Sequence, residues 1–304
     1  PPVELAGDRA RLMLDIAGLT EEELWVTVMG ANRHGFGPPA DVMLRRPSVD
    51  FRPVEVKPKL YVLAIGTSQY RDASLTLQYA AKDAADFASL VVGQEGALYS
   101  AVEVRLVTDT DATYDNIRDG LFWLEEEVTA NDTAYIFLAG HGVNDNRGEL
   151  FFLPHEAEVG NLRRTAVAAS EIVRTIEYLP GRTVYFMDSC HSGNLEFTRR
   201  AAVPLDVNGH LQDLYAATGA VVFSSATGSQ YSLESPEWGN GAFTLALREG
   251  LDGRADVNGD GAVSVNEMNL YLSDRVKELT ANRQTPVLRK RDEVADFPLA
   301  VLMH

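Results

Sequence analysis

The 304 residues of this chain predict an α/β fold: a mostly parallel central sheet flanked by helices, with a small β-rich module in front of it. Three observations carry that expectation. From residue 60 onward, short continuous apolar runs alternate with segments of helical period, as expected of strands buried on both faces and covered by helices. Before residue 57, apolar runs are brief and broken by turn residues. Hydrophobic residues make up 45% and charged residues 23%, a balance that lets a chain of this length bury a large core unaided.

In residues 1–56, strands are expected around 10–16 and 24–29, the second ending in Gly30-Ala31-Asn32. No chemistry is legible there, and the module reads as the tail of an upstream region. The segment from Arg52 to Lys59 is polar and proline-spaced, an extended linker, so the main domain is set at 57–304. Its first strand is 60–66, apolar throughout. A helix over 79–92 follows, with Ala80, Ala84, Phe87 and Val91 on one face. Residues 102–107 form the second strand. Thr113 caps a helix carrying Ile117, Leu121 and Leu124. Strands are expected at 134–140, 183–188 and 219–225, with a helix at 171–179 between the first two. A last helix runs through Met268, Leu272, Val276 and Leu279.

Net charge is −17, which speaks against a phosphate-backbone binder and against docking on anionic lipid. No apolar run approaches the ~18 residues of a membrane span. Cys190 is the only cysteine, so no internal disulfide forms, and a reducing, cytoplasmic location is expected. The chain begins Pro1-Pro2 without methionine or a signal-like segment. A longer protein with an upstream regulatory domain is therefore expected.

Chemistry collects at the strand ends, where α/β sheets present their sites. The third strand ends in Ala139-Gly140-His141-Gly142, the fourth in Asp188-Ser189-Cys190-His191-Ser192-Gly193. A thiolate attacks acyl carbon, and a histidine within reach raises the thiolate fraction and then protonates the leaving amine. Glycines let a substrate backbone approach closely, and the N–H groups of Gly142 and Cys190 are candidates for the oxyanion. A lone cysteine is usually a small buried apolar residue, but here its neighbours are polar and the strand-end position repeats for both residues. His191 ranks below His141, since neighbours along a strand point apart. His155 follows the apolar run Leu150-Phe151-Phe152-Leu153 and reads as structural; His34, His210 and His304 have no evident partner.

These segments, with Tyr61-Val62-Leu63-Ala64-Ile65-Gly66, resemble the caspase-like peptidases of the metacaspase and bacterial orthocaspase branch, over about residues 59–304. The resemblance implies a caspase–hemoglobinase fold and a cysteine endopeptidase with His141 as base and Cys190 as nucleophile, about 50 residues apart as in caspases. True caspases read an aspartate with basic and amide side chains; here Asp188 precedes the nucleophile by two positions. A carboxylate there attracts arginine or lysine and repels aspartate, by several kcal/mol in a partly desolvated pocket. In metacaspases this aspartate and one on an alanine-rich helix line the pocket, which makes Asp83 in Ala80-Ala81-Lys82-Asp83-Ala84 the second candidate. On sequence alone, Asp83 is also an ordinary acid favouring a helix N-terminus. The chain has Ala139 where metacaspases often carry a serine. Gln230 and Glu234 fall where the family carries a substrate loop, and Arg199-Arg200 where caspase-like enzymes are cut on activation. The implied partners are proteins or peptides with arginine or lysine before the scissile bond. A catalytically silent binding module is the alternative, disfavoured because both dyad residues are present.

Residues 256–267 follow the twelve-residue EF-hand pattern. Asp256, Asn258 and Asp260 stand at positions one, three and five, Gly261 at six, Ala262 with its carbonyl at seven, Ser264 at nine and Glu267 at twelve. Calcium is the ion expected. The same Asx and glycine chemistry also makes calcium-free turns, and the chemistry of cleavage needs no cofactor.

Overall fold

The computed structural model describes residues 3–6, 9–12, 23–32, 35–45, 57–191, 214–215, 218–227 and 232–302. The chain divides into two compact units, Pro1–Glu55 and Val56–His304. The first holds three antiparallel strand pairs. β1 (Val3–Ala6) pairs with β2 (Arg9–Leu12), β3 (Glu23–Val28) with β6 (Ala40–Arg45), and β4 (Ala31–Asn32) with β5 (Gly35–Phe36).

The second unit is built on β7 (Lys59–Gly66), β8 (Ala101–Thr108), β9 (Thr133–Asn144), β12 (Arg182–His191) and β13 (Val221–Ser224). Their order is β8-β7-β9-β12-β13, all parallel. The fifth strand is shorter than its expected 219–225, because Gly219 turns at φ 73° just before it. β10 (Leu150–Phe152) and β11 (Val167–Ala168) extend the sheet antiparallel beyond β7, alongside the end of β9.

Between strands run α1 (Ala80–Val92), α2 (Tyr114–Glu127), the one-turn α3 (Leu162–Thr165) and α4 (Ala169–Tyr178). After β13 come β14 (Glu234–Ser235), β15 (Asn240–Gly241), α5 (Ala242–Glu249), β16 (Ala262–Ser264) and α6 (Val265–Leu279). Last are β17 (Val287–Arg289), antiparallel to β13, and β18 (Pro298–Val301), paired with β16.

Period-two alternation explains the continuous apolar runs. Leu60, Val62 and Ala64 of β7 face one core with Phe137 and Phe186, while Tyr61, Leu63 and Ile65 face the other with Ile136 and Tyr185. The first core packs under Ala84 and Phe87 of α1, Phe243 of α5 and Met268 of α6. The second packs under Ile117 of α2 and Ile172 of α4. The Phe87 ring stacks on Phe137 at 4.7 Å, and Phe186 on Phe223 at 5.4 Å. Each such fully buried side chain stabilises the fold by ~1.5–3 kcal/mol. These two layers fix the carboxyl ends of β9 and β12 as the rigid floor of the site.

Candidate active site

β9 and β12 run parallel and in contact to their last residues. Their register sets Asp188 beside Ala139, Ser189 beside Gly140, Cys190 beside His141 and His191 beside Gly142. Neighbouring strands lie ~4.8 Å apart, so the sheet itself delivers the cysteine and the histidine side by side.

His141 is buried and held on two sides. Its main-chain N–H donates to the Tyr70 hydroxyl at 3.0 Å, and the Tyr70 ring lies 5.2 Å from the imidazole. Its Nε2 stands 2.7 Å from the carbonyl oxygen of Leu75. A carbonyl only accepts, so Nε2 carries the proton in neutral imidazole and Nδ1 is the basic nitrogen. Leu75 sits in a 3₁₀ turn whose cap is the Asp72 carboxylate, accepting from the Ser74 N–H at 3.0 Å. The flanking glycines keep the strand end uncrowded. Gly140 has φ 151°, and a Cβ there would lie 2.8 Å from the Phe152 ring; a Cβ on Gly142 would lie 2.8 Å from Ser189 Oγ.

Two positions before Cys190, Asp188 is buried on the α1 and α5 side of the sheet. Its Oδ1 accepts from the Ser232 hydroxyl at 2.5 Å, its Oδ2 from the Thr244 hydroxyl at 2.8 Å. Asp83, in the first turn of α1, is buried too. It does not cap its own helix. Its Oδ1 accepts from Asn240 Nδ2 at 2.7 Å, and the Gly241 N–H donates to its Oδ2 at 3.1 Å. A Cβ built on Gly241 would be 3.1 Å from Asp83 Oδ2 and 3.1 Å from Asp188 Oδ2. The two carboxylates thus converge on Gly241 from two elements, and a Cβ there would press on both. Burial, and then the neighbouring Asp188, push the Asp83 carboxyl up to about 8. Burial pushes Asp188 upward as well, against the pull of its hydroxyl donors.

The support for this pair was not legible in the sequence. Gln284, fully buried after α6, accepts from the Leu233 N–H at 2.8 Å through Oε1. Its Nε2 donates to the Ser225 carbonyl at 2.8 Å, and stands 3.4 Å from Ser232 Oγ. One amide therefore ties the end of β13 to the segment carrying Ser232. Asn240 bridges Asp83 to Asp86, whose carboxylate pairs with Lys82 and Arg248. The only sequence hint is the polar spacing Ser232…Asn240-Gly241…Thr244 after the fifth strand.

Other candidates have different places. Glu234 takes the N–H groups of Gln78 and Tyr79 at 3.0 and 3.1 Å, so it anchors the segment leading into α1 and adds negative charge near Asp83. His155 ties its Nδ1 to the Gln69 carbonyl at 2.7 Å, a loop contact. Gln230, Arg199, Arg200, His34, His210 and His304 lie outside the described residues.

The 256–267 loop joins the α5 side of the domain to α6 and closes on itself. Asp256 accepts from the N–H groups of Gly259 (2.8 Å), Asp260 (3.2 Å) and Gly261 (3.1 Å). Asn258 Oδ1 accepts from Asp260 and Asp260 Oδ1 from Ala262. Ser264 and Glu267 form a reciprocal capping box at the start of α6. Among the described residues, no three or more histidine, cysteine, aspartate or glutamate side chains are grouped to hold a metal ion. The loop has the order of donors that calcium needs, and Asn258 lies against both Asp260 and Glu267.

Among the described residues no helix is long and apolar enough to cross a membrane. Residues 59–297 match a family model described as the caspase domain of the C14 peptidases. Among solved structures, the chain is similar to a crystal structure of a Geobacter sulfurreducens protein. The identity is 18%, 81% of this chain and 100% of that chain are covered, and the TM-score is 0.55. At that identity the likeness concerns the fold. No curated protein matches the chain.

Proposed function

The chain belongs to the caspase-domain family of cysteine peptidases, and on that premise we propose that it is an endopeptidase cutting after arginine or lysine, with Cys190 as nucleophile and His141 as base. The observation that carries the specificity is the convergence of Asp83 and Asp188 on Gly241, two residues along the strand from Cys190. A guanidinium or ammonium group entering that space meets two carboxylates, whereas an aspartate side chain would add a third buried carboxyl and further negative charge. The dyad is supported by the register of Cys190 with His141 and by the Leu75 carbonyl on Nε2.

In this reading the Cys190 thiol gives its proton to His141, and the thiolate attacks the carbonyl carbon of the scissile peptide. The N–H groups of Gly142 and Cys190 stabilise the oxyanion. Collapse breaks the C–N bond as the His141 imidazolium protonates the leaving amine. Water, deprotonated by His141, then hydrolyses the thioester and restores the thiol.

The test is hydrolysis of two matched fluorogenic peptides, one ending in arginine and one in aspartate, by wild type and Cys190→Ala. Cleavage of the arginine peptide only, lost in the variant, is the expected result. Cleavage of the aspartate peptide would sink the pocket assignment, and cleavage of neither would favour a silent module.

Two further parts of the proposal have their own checks. Self-cutting after Arg199 or Arg200 should give wild type two fragments on incubation, seen by intact mass, while Cys190→Ala and the Arg199→Ala/Arg200→Ala double variant stay whole. Calcium at residues 256–267 is separate from the cleavage chemistry and is supported by the order of its donors. The carboxylates of Asp256, Asp260 and Glu267 each accept loop N–H groups and keep further lone pairs with which a cation could be held. Calorimetric titration with calcium chloride should give saturable heat with wild type and none with Asp256→Ala; identical heats would remove calcium from the proposal.

A further inference from the structure

We propose that the pocket between α1 and β12 holds one displaceable proton, shared by Asp83 and Asp188, and that a basic substrate side chain enters in exchange for it. This rests on the pocket reading given under Proposed function and adds how the pocket is charged.

The two carboxylates come from elements on opposite sides of the space and meet at Gly241. Among the described residues their donors are neutral: the hydroxyls of Ser225, Ser232 and Thr244, the amide of Asn240 and the N–H groups of Gly241 and Thr244. The charged groups facing them supply no counterion. On α1, Lys82 is paired with Asp86; on α5, Arg248 is paired with the same Asp86. Both cations also contact Asn240 Oδ1, on the far side of that amide from the pair. From β14, Glu234 adds negative charge. Neither Asp83 nor Asp188 has an ion-pair partner among the described residues.

Two ionised carboxylates in one buried space repel strongly, and such pairs keep a proton. Burial and Asp188 together hold the Asp83 carboxyl up to about 8, so near neutral pH the empty pocket retains a proton on the pair. A guanidinium or ammonium group supplies the missing counterion. Both acids then ionise, and the proton leaves to solvent: one cation in, one proton out. Affinity for a basic side chain therefore rises about tenfold per pH unit below the pair's midpoint and levels off above it.

The experiment is calorimetry on the Cys190→Ala protein with an uncleaved peptide amide carrying one arginine. It is run at pH 7 in phosphate and in Tris, whose ionisation heats differ, and repeated at pH 6. The expected result is release of close to one proton and about tenfold weaker binding at pH 6. In Cys190→Ala/Asp83→Asn, binding should be weaker and the buffer dependence gone. Binding with equal heat in both buffers would overturn the proposal, as would proton release that survives Asp83→Asn, which would assign the proton to another group such as His141. Failure of the arginine peptide to bind while an aspartate peptide binds would instead overturn the pocket reading itself.

Discussion

Asp83→Asn is expected to lower kcat/KM for an arginine peptide by ~10²–10³, mostly through KM, and to make the protein more stable at pH 8. The first effect follows from removing one of two buried partners of a substrate charge, a loss of ~2–4 kcal/mol. The amide keeps the side-chain volume, and its one oxygen, in the place of Oδ1, can still accept from Asn240 and, at 3.2 Å, from Gly241, while the acceptor in the place of Oδ2 is lost. The second effect follows from linkage. Unfolded, this carboxyl ionises near 3.8; folded, it keeps its proton up to about 8. Between those values the unfolded chain binds fewer protons than the folded one, so stability falls as pH rises through the window and levels off above it. The Asp83→Asn protein escapes that loss. The stability gained over wild type should be small near pH 4 and reach about 1–3 kcal/mol at pH 8, less than the full shift because an amide is a poorer acceptor. Urea unfolding at the two pH values checks it. A variant less stable at pH 8 than at pH 4, relative to wild type, would show that the folded chain does not hold a proton on Asp83.

That trade between stability and site chemistry bears on what the sequence could reveal. Four of the five parallel strands were legible because they are buried on both faces, so apolar runs such as Leu60–Ile65 stand out against polar turns; β8, at the sheet edge and largely half-buried or exposed, shows instead as the alternation Val102, Val104, Leu106. β10, β11, β16 and β17 have two or three residues each, too few to show a period. α5 has eight residues, none of them exposed, too short a pattern to mark it. In the site, His141, Cys190 and Asp188 were legible because they interrupt apolar strands at their carboxyl ends. Asp83 was not separable from an ordinary helix-start acid without the family resemblance, because what distinguishes it is Gly241, in another part of the chain. Gln284, Asn240 and Thr244 act wholly through such long-range hydrogen bonds. So does the Leu75 carbonyl, a main-chain group that no residue type announces.

Cys190→Ala should abolish cleavage, by ~10⁴-fold or more, and His141→Ala should lower kcat by ~10²–10⁴. The double variant should be no worse than Cys190→Ala, since residues acting as one unit do not add. Loss of activity alone would not separate chemistry from folding, but the single cysteine allows a direct probe. Alkylation by iodoacetamide reports the thiolate of Cys190 and nothing else in the chain. If His141 accepts its proton, an imidazolium beside the sulfur keeps the thiolate populated well below the free-thiol value of ~8.5. Wild type should then alkylate readily at pH 6, while His141→Ala should lose that arm and follow a single titration near ~8.5. The Leu75 carbonyl sharpens the expectation, because it favours the Nε2–H of both neutral and charged imidazole and so stabilises the charged partner the thiolate needs. Tyr70→Phe removes the acceptor of the His141 main-chain N–H but leaves the imidazole its Leu75 partner, so it should shift the acid arm slightly and leave it present. An alkylation profile unchanged by His141→Ala would detach the histidine from the thiol, whatever the variant did to peptide cleavage.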